Sequence, residues 1–250
     1  MGGNTFHFQG FSLSQEGCGM RISTDGILLA AWAMPSVCPA RAIDLGAGTG
    51  LIAFLLAKRF PSLPIDAFEI DPSSASCLRR NLENYPYMHS IRVIEGDFVT
   101  LYPKCYATSV VDLIVCNPPY YSEGPATRHP SRELARYSRS LATSEIFESA
   151  AYLLPPEGKL AMITPYDQRN KLITEAYSRG LRLSRAMAVV TIEGKAPKRL
   201  LSEWVPTCDV PPVTISQLDT LTIRNRDNSY TDEYASYVAP YYLKERKKEC

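Results

Sequence analysis

The chain has no Cys-x-x-Cys pair. Its seven cysteines, at positions 18, 38, 77, 105, 116, 208 and 250, are odd in number and scattered. That argues against a zinc site and against a disulfide scaffold, and it fits a reducing cytosol; no metal is expected. No stretch approaches about 18 uninterrupted apolar residues, so no membrane span is expected. The start, Met1-Gly2-Gly3-Asn4-Thr5, has neither a basic segment nor a long apolar one, so no signal peptide is expected and the expected compartment is the cytoplasm. Charge of one sign is also missing: the net formal charge is +1 over 250 residues. Bulk charge therefore neither demands nor excludes a nucleic-acid partner, and local patches decide. Two phosphate-binding patterns are absent, G-x-G-x-x-G and Gly-Lys-Ser/Thr, which disfavours a dehydrogenase and a phosphate-loop enzyme. With no internal repeat, low-complexity tract or clear linker, residues 1–250 read as one domain and a monomer. Residues 1–35 form an amino-terminal extension to it, and 121–142 a basic flap. At 45% hydrophobic and 21% charged, the chain can bury a full α/β core.

What is present is a repeated unit of strand, turn and helix. Residues 4–14 alternate around Phe6, Phe8, Phe11 and Leu13 and read as a strand or hairpin. Thr24 or Asp25 then stands as the cap of an apolar helix through Trp32, in a turn that is also placed to touch a ligand. Arg41 to Leu45 is a strand that runs into Gly46-Ala47-Gly48-Thr49-Gly50, and a helix follows from Leu51 to Phe60. Glycines let a backbone approach a ligand, and the helix start offers unpaired N–H groups. Asp44 stands just before the first glycine, where a carboxylate can meet a cationic ligand. S-adenosyl-L-methionine fits, with an ammonium and a sulfonium and no phosphate.

The second strand, Pro64 to Phe68, ends at Glu69-Ile70-Asp71. An acidic side chain there, about 20 residues past the glycines, is placed to hold ribose hydroxyls; Glu69 is the first candidate and Asp71 the second. Pro72 opens a helix to about Asn84. Ser90 to Ile94 is strand three, and past it Asp97 and Phe98 are placed near an adenine ring, though Gly96-Asp97 is also a turn pair. Strand four, Val110 to Cys116, delivers Asn117. Four successive strands thus end in a polar residue: Asp44, Glu69, Asp97 and Asn117.

The fourth tip is Asn117-Pro118-Pro119-Tyr120. Neither proline can donate to a ladder, so the strand stops and the chain direction stiffens. The Asn117 side-chain oxygen and the Pro118 carbonyl are two acceptors, and Tyr120 is an aromatic platform. Such a set suits the NH2 of a base or of a side-chain amide; alternatively the tetrapeptide is a turn. Beyond it lie Arg128, Arg132, Arg136 and Arg139, which a helix would align. They read either as a solvated loop or as a basic flap meeting phosphates. The remainder reads as a helix capped by Thr143, a strand from Gly158 and a helix from Pro165 to Arg179. A long strand from Leu181 follows, then a basic turn with Lys195, Lys198 and Arg199, and a returning strand at 200–205. A short strand at 220–224 and a helix from Asp232 to Leu243 close the chain.

Asp44-Leu-Gly-Ala-Gly-Thr-Gly50, Glu69, Asp97 and Asn117-Pro-Pro-Tyr120 together resemble a class I S-adenosylmethionine-dependent methyltransferase of the amino-group-modifying kind. Phe6-x-Phe8, Met20-Arg-Ile-Ser-Thr-Asp-Gly26 and Ala135-Arg136-Tyr137 narrow the resemblance to the bacterial tRNA1(Val) adenine-37 N6-methyltransferases, over about residues 4 to 205. One position departs: Tyr137 stands where that family has histidine. The resemblance implies a Rossmann-like α/β fold, with a mostly parallel seven-stranded sheet whose last strand is antiparallel. It implies S-adenosylmethionine as methyl donor, S-adenosylhomocysteine as product and tRNA as partner. It also implies a flipped adenine stacked on Tyr120, its N6 held by Asn117 and Pro118. Two other classes remain. One is a protein glutamine N5-methyltransferase, which generally carries a helical domain before the glycine loop, where only about 40 residues stand here. The other is an inert methyltransferase-like RNA-binding module.

Overall fold

Apolar runs buried on both faces make parallel strands, and the amphipathic stretches between them make the covering helices. The computed structural model describes residues 4–35, 39–83, 85–118, 141–207 and 218–242. A hairpin of β1 (Thr5–Phe8) and β2 (Phe11–Ser14) opens the chain, and α1 (Thr24–Trp32) follows. Then come β3 (Ala42–Leu45), α2 (Leu51–Arg59), β4 (Ile65–Glu69), α3 (Pro72–Glu83), β5 (Ile91–Glu95), α4 (Phe98–Cys105) and β6 (Leu113–Cys116). The later part holds α5 (Thr143–Leu153), β7 (Lys159–Pro165), α6 (Arg169–Tyr177), β8 (Leu181–Ile192), β9 (Arg199–Pro206), β10 (Asp219–Arg224) and α7 (Asp232–Val238).

Among the described residues the main sheet has eight strands in the order β10-β8-β9-β7-β6-β3-β4-β5. Strands β5, β4, β3, β6 and β7 pair in parallel. Strand β9 runs antiparallel between β7 and β8. The expected seven strands are thus exceeded by one: β10 adds in parallel to the outer edge of β8 and buries Leu221 under α7. Side chains alternate across the sheet and fill two cores. Ala42, Ala67, Val115 and Ile163 face α1, α2 and α7. Ile43, Phe68, Cys116 and Met162 face α4, α5 and α6.

Several local expectations are corrected. The cap of α1 is Ser23, whose Oγ accepts from the Gly26 N–H at 3.3 Å; Thr24 is already helical and Asp25 is engaged elsewhere. Ala142 precedes α5, and Thr143 is its first helical residue. Pro165 closes β7, and the helix after it starts at Arg169. Helix α4 forms where the sequence was assigned no element, with Pro103 inside it. At the amino ends of the strands, buried Asp66 receives Arg41 and Arg92 at 2.7 Å and the Tyr106 hydroxyl, which locks β3, β4 and β5 at the end away from the tips.

Candidate active site

The order β6-β3-β4-β5 places Asn117, Asp44, Glu69 and Asp97 at or just beyond the carboxyl ends of four adjacent strands. Open α/β sheets bind ligands at that edge. Between Asp44 and Glu69 sits the glycine loop. The Gly46 and Ala47 N–H groups both donate to the Phe68 carbonyl at 2.9 Å, which ties the loop to β4. Gly50 has φ +89°, and a side-chain carbon there would come within 3.0 Å of Phe54 and 3.2 Å of Leu78. At Gly46 such a carbon would meet nothing within 4 Å among the described residues, which leaves the backbone open to a ligand on that side.

Asp44 is 1% exposed. Its Oδ2 accepts the Ala53 N–H at 3.0 Å. Helix α2 starts after Gly50, which has no side chain to cap it, so the strand beneath supplies the capping oxygen. Burial pushes the Asp44 carboxyl up to about 7; the Ala53 N–H pulls it down, and the Glu69 charge pushes it up. Glu69 is 7% exposed. It accepts the Gly48 N–H and the Asp71 N–H, each at 2.8 Å. Burial raises its pKa too, against the pull of those N–H groups. Neither carboxylate has an ion-pair partner among the described residues. Two buried acids without a cation beside an open glycine backbone fit a positively charged ligand without phosphate, as S-adenosylmethionine is.

The other tip residues have local work. Asp71 Oδ2 accepts from Ser73 Oγ at 2.6 Å and from the Ser74 N–H at 2.9 Å, which caps α3. Asp97 accepts from the Val99 N–H at 3.1 Å and Thr100 Oγ1 at 2.8 Å, which caps α4, and it stays exposed. Phe98 is 6% exposed and packs edge-on to Phe68 at 4.9 Å between ring centres. It packs in the core below the tips, beside Asp97.

Asn117 is half-buried and Pro118 buried at the end of β6. Pro119, Tyr120, Arg128, Arg132, Arg136, Tyr137 and Arg139 lie outside the described residues. The turn carrying exposed Lys195 and Lys198 joins β8 to β9 at the same carboxyl edge, two strands from Asn117. Arg199 beside it pairs with Asp25 at 2.8 Å, fastening the start of α1 to that edge; both residues are therefore engaged. Sequence reading missed Ser74 and Asn81 on α3 and Cys18 before α1, which meet this half of the site. An asparagine inside the apolar stripe of α3 was the available signal.

No helix among the described residues is long and apolar enough to cross a membrane. No group of three or more His, Cys, Asp or Glu among them is placed to hold a metal ion.

Comparison with known proteins gives a consistent result. Residues 26–179 match the model of the methyltransferase small domain. A Porphyromonas gingivalis W83 protein named tRNA1(Val) (adenine(37)-N6)-methyltransferase is 38% identical over 244 residues, 95% of this chain and 94% of that one. A protein of the same name from Tolumonas auensis is 35% identical over 98% of this chain and 99% of its own. Among solved structures, a predicted O-methyltransferase from Agrobacterium tumefaciens aligns with a TM-score of 0.62 over 87% of this chain and 96% of that one, at 18% identity. That last likeness concerns the fold.

Proposed function

The chain belongs to the methyltransferase small-domain family and to the tRNA1(Val) (adenine(37)-N6)-methyltransferases, and from that membership we propose that it transfers a methyl group from S-adenosylmethionine to N6 of an adenine in tRNA, with adenine 37 of tRNA1(Val) as target. One observation carries the reading for this chain. The acidic tips Asp44 and Glu69 flank the glycine loop, and the two acceptors at Asn117 and Pro118 stand one strand away. In this reading a cation-holding half and an NH2-holding half share one edge.

In this reading Asp44 and Glu69 hold the donor, with Gly46, Gly48 and Gly50 giving backbone access. Asp71 and Asp97 border its ribose and adenine ends, and Thr24 and Asp25 border it from the start of α1. Bound S-adenosylmethionine would supply an electrophilic methyl group on a sulfonium. Asn117 Oδ1 and the Pro118 carbonyl accept the two N6 hydrogens, which turns the nitrogen lone pair out of ring conjugation. Pro119 keeps the two acceptors rigid, and Tyr120 stacks on a base that has left its helix. Positive charge that develops on N6 is stabilised by the same two acceptors, so most of the acceleration is positioning. No strong base is needed beforehand, because the N6 proton becomes acidic once the nitrogen is cationic. Lys195 and Lys198 on the substrate side, and the arginines at 128–139, meet phosphates.

We read the whole chain as one domain, acting as a monomer without a metal in the cytoplasm. The test is methyl transfer from labelled S-adenosylmethionine to tRNA from a strain lacking this protein, followed by nucleoside analysis. N6-methyladenosine in one valine tRNA is the expected product. Label in a protein fraction and in no RNA would replace this reading with a glutamine methyltransferase.

A further inference from the structure

The residues from the end of β2 to Gly19 lie on the cofactor half of the site, and α3 holds them there. Asn81 is buried, at 8% exposure. Its Nδ2 donates to the Ser14 carbonyl and to the Thr49 carbonyl, both at 3.0 Å. Its Oδ1 accepts the Ser14 N–H at 2.8 Å. Both amide hydrogens and the oxygen are used, so the side chain has one orientation. A flipped amide would set its oxygen against two carbonyls. Ser14 ends the amino-terminal hairpin, and Thr49 lies in the glycine loop. One side chain therefore joins an extension far upstream to the loop that faces the donor.

Three more contacts follow the same stripe of α3. Cys77 Sγ lies 3.3 Å from the Ser14 carbonyl. Arg80 donates to the Glu16 carbonyl at 2.9 Å. Ser74 Oγ accepts the Gly19 N–H at 3.1 Å and donates to Asp71 Oδ2 at 2.8 Å. Positions 74, 77, 80 and 81 share one helix face. Cys18, half-buried, has its Sγ 3.8 Å from where a side-chain carbon on Gly48 would stand. A circuit closes: Gly48 to Glu69, Glu69 to Asp71, Asp71 to Ser74, Ser74 to Gly19, and Cys18 back against Gly48.

We propose that residues 14–19 form a wall of the S-adenosylmethionine site and that Asn81 is the positioning residue that sets this wall and the glycine loop in register. The proposal rests on the reading that the glycine loop holds S-adenosylmethionine. Asn81 divides its bonds between two segments, the hairpin end at Ser14 and the glycine loop at Thr49.

The experiment uses the full-length protein with S-adenosylhomocysteine as probe. Cys18 alkylation by N-ethylmaleimide is followed by peptide mass spectrometry, below the melting temperature of every variant. In the wild type, S-adenosylhomocysteine slows Cys18 labelling about tenfold or more. In Asn81→Ala, the dissociation constant for the probe rises about tenfold, as for one lost hydrogen-bond network of about 1.4 kcal/mol. Protection of Cys18 falls in step, while kcat at saturating donor stays within about twofold. Ser74→Ala releases Gly19 and one bond to Asp71 while leaving the Asn81 contacts in place, and raises the same constant about threefold; it stands in if Asn81→Ala does not fold. A lower melting temperature with unchanged probe affinity and unchanged Cys18 protection would overturn the proposal and leave Asn81 as a packing residue. Absence of probe binding in the wild type removes the cofactor reading itself, and the proposal with it.

Discussion

Replacing Asp44 by asparagine should stabilise the free protein and weaken it as a donor-binding protein. The Asn carbonyl can still accept the Ala53 N–H that Asp44 accepts at 3.0 Å. What disappears is a buried charge. Asp44 titrates near 7 in the fold, with burial the main cause, against about 3.9 in an unfolded chain. The folded state therefore holds this proton more tightly than the unfolded state. Below about pH 4 both states are protonated and nothing is lost. Between about pH 4 and pH 7 the folded state keeps a proton that the unfolded state has released, so stability falls as pH rises through that window. The full difference is about 4 kcal/mol at 1.36 kcal/mol per pH unit. Relaxation around a real buried site reduces it, and about 2 kcal/mol is expected at pH 8. For a chain of this size that is about 4–8 °C in melting temperature. Melts of Asp44→Asn and wild type at pH 5 and pH 8 are the assay. The gap should be small at pH 5 and open to several degrees at pH 8. A gap that stays constant with pH refutes the argument that Asp44 is a strained, buried charge. The same variant should bind S-adenosylmethionine about tenfold more weakly at pH 8, because the cation has lost a partner; calorimetry reads this directly.

Asn117→Ala should leave S-adenosylmethionine affinity near normal and lower turnover on tRNA by on the order of 10²-fold or more, as for a lost transition-state hydrogen bond; single-turnover kinetics measure it, and unchanged turnover removes the assigned role. Gly50→Ala forces a side chain into φ +89° against Phe54 and Leu78, and should cost about 2–4 kcal/mol from backbone strain and overpacking; a thermal melt shows the drop, and an unshifted melting temperature would contradict the packing argument. Asp66 has the opposite pH sign to Asp44. Burial raises its pKa, but hydrogen bonds from Arg92, Tyr106 and Arg41 outweigh it and hold the carboxyl below its usual range. Its contribution is complete above about pH 4 and is lost as pH falls through the lower folded value. Asp66→Asn should cost about 1–3 kcal/mol at pH 7, with the partners Arg41 and Arg92 partly exposed, and the cost should shrink in melts taken near pH 3.

The strand tips were legible because parallel strands buried on both faces are nearly continuous apolar runs, so the first polar residue after each marks the sheet edge. Asp44, Glu69, Asp97 and Asn117 could be set side by side from that alone. The glycine loop was legible from its spacing. Helix α4 was hidden by Pro103, and the burial of Phe98 was hidden with it, because a residue just past a strand reads as surface until the next helix is known. The placement of β10 was illegible for another reason: its six residues carry no sign of which edge they join. Caps moved by one residue, as at Ser23, where Asp25 was drawn away by Arg199 from the far end of the chain. The Asn81 contacts join position 81 to positions 14 and 49, and no periodic pattern encodes such a polar contact between distant segments.

Strand β9 lies between β7 and β8 and runs against both, which sets an order in time on the ribosome. Strands β3 to β7 can pair as they emerge, each against a neighbour already made. Strand β8 emerges next, with its eventual partners β9 and β10 both still unmade, so it must wait. Until residues 199–206 arrive, β7 presents a bare edge, and β8 has no seat in the sheet. The half of the site built on β3 and β4 can therefore take shape on a nascent chain whose turn at Lys195 and Lys198 has no fixed position. A chain interrupted before β9 carries an open sheet edge, the kind of surface that quality-control proteases and chaperones recognise. Late insertion of a single strand thus leaves the sheet open until β9 is in place.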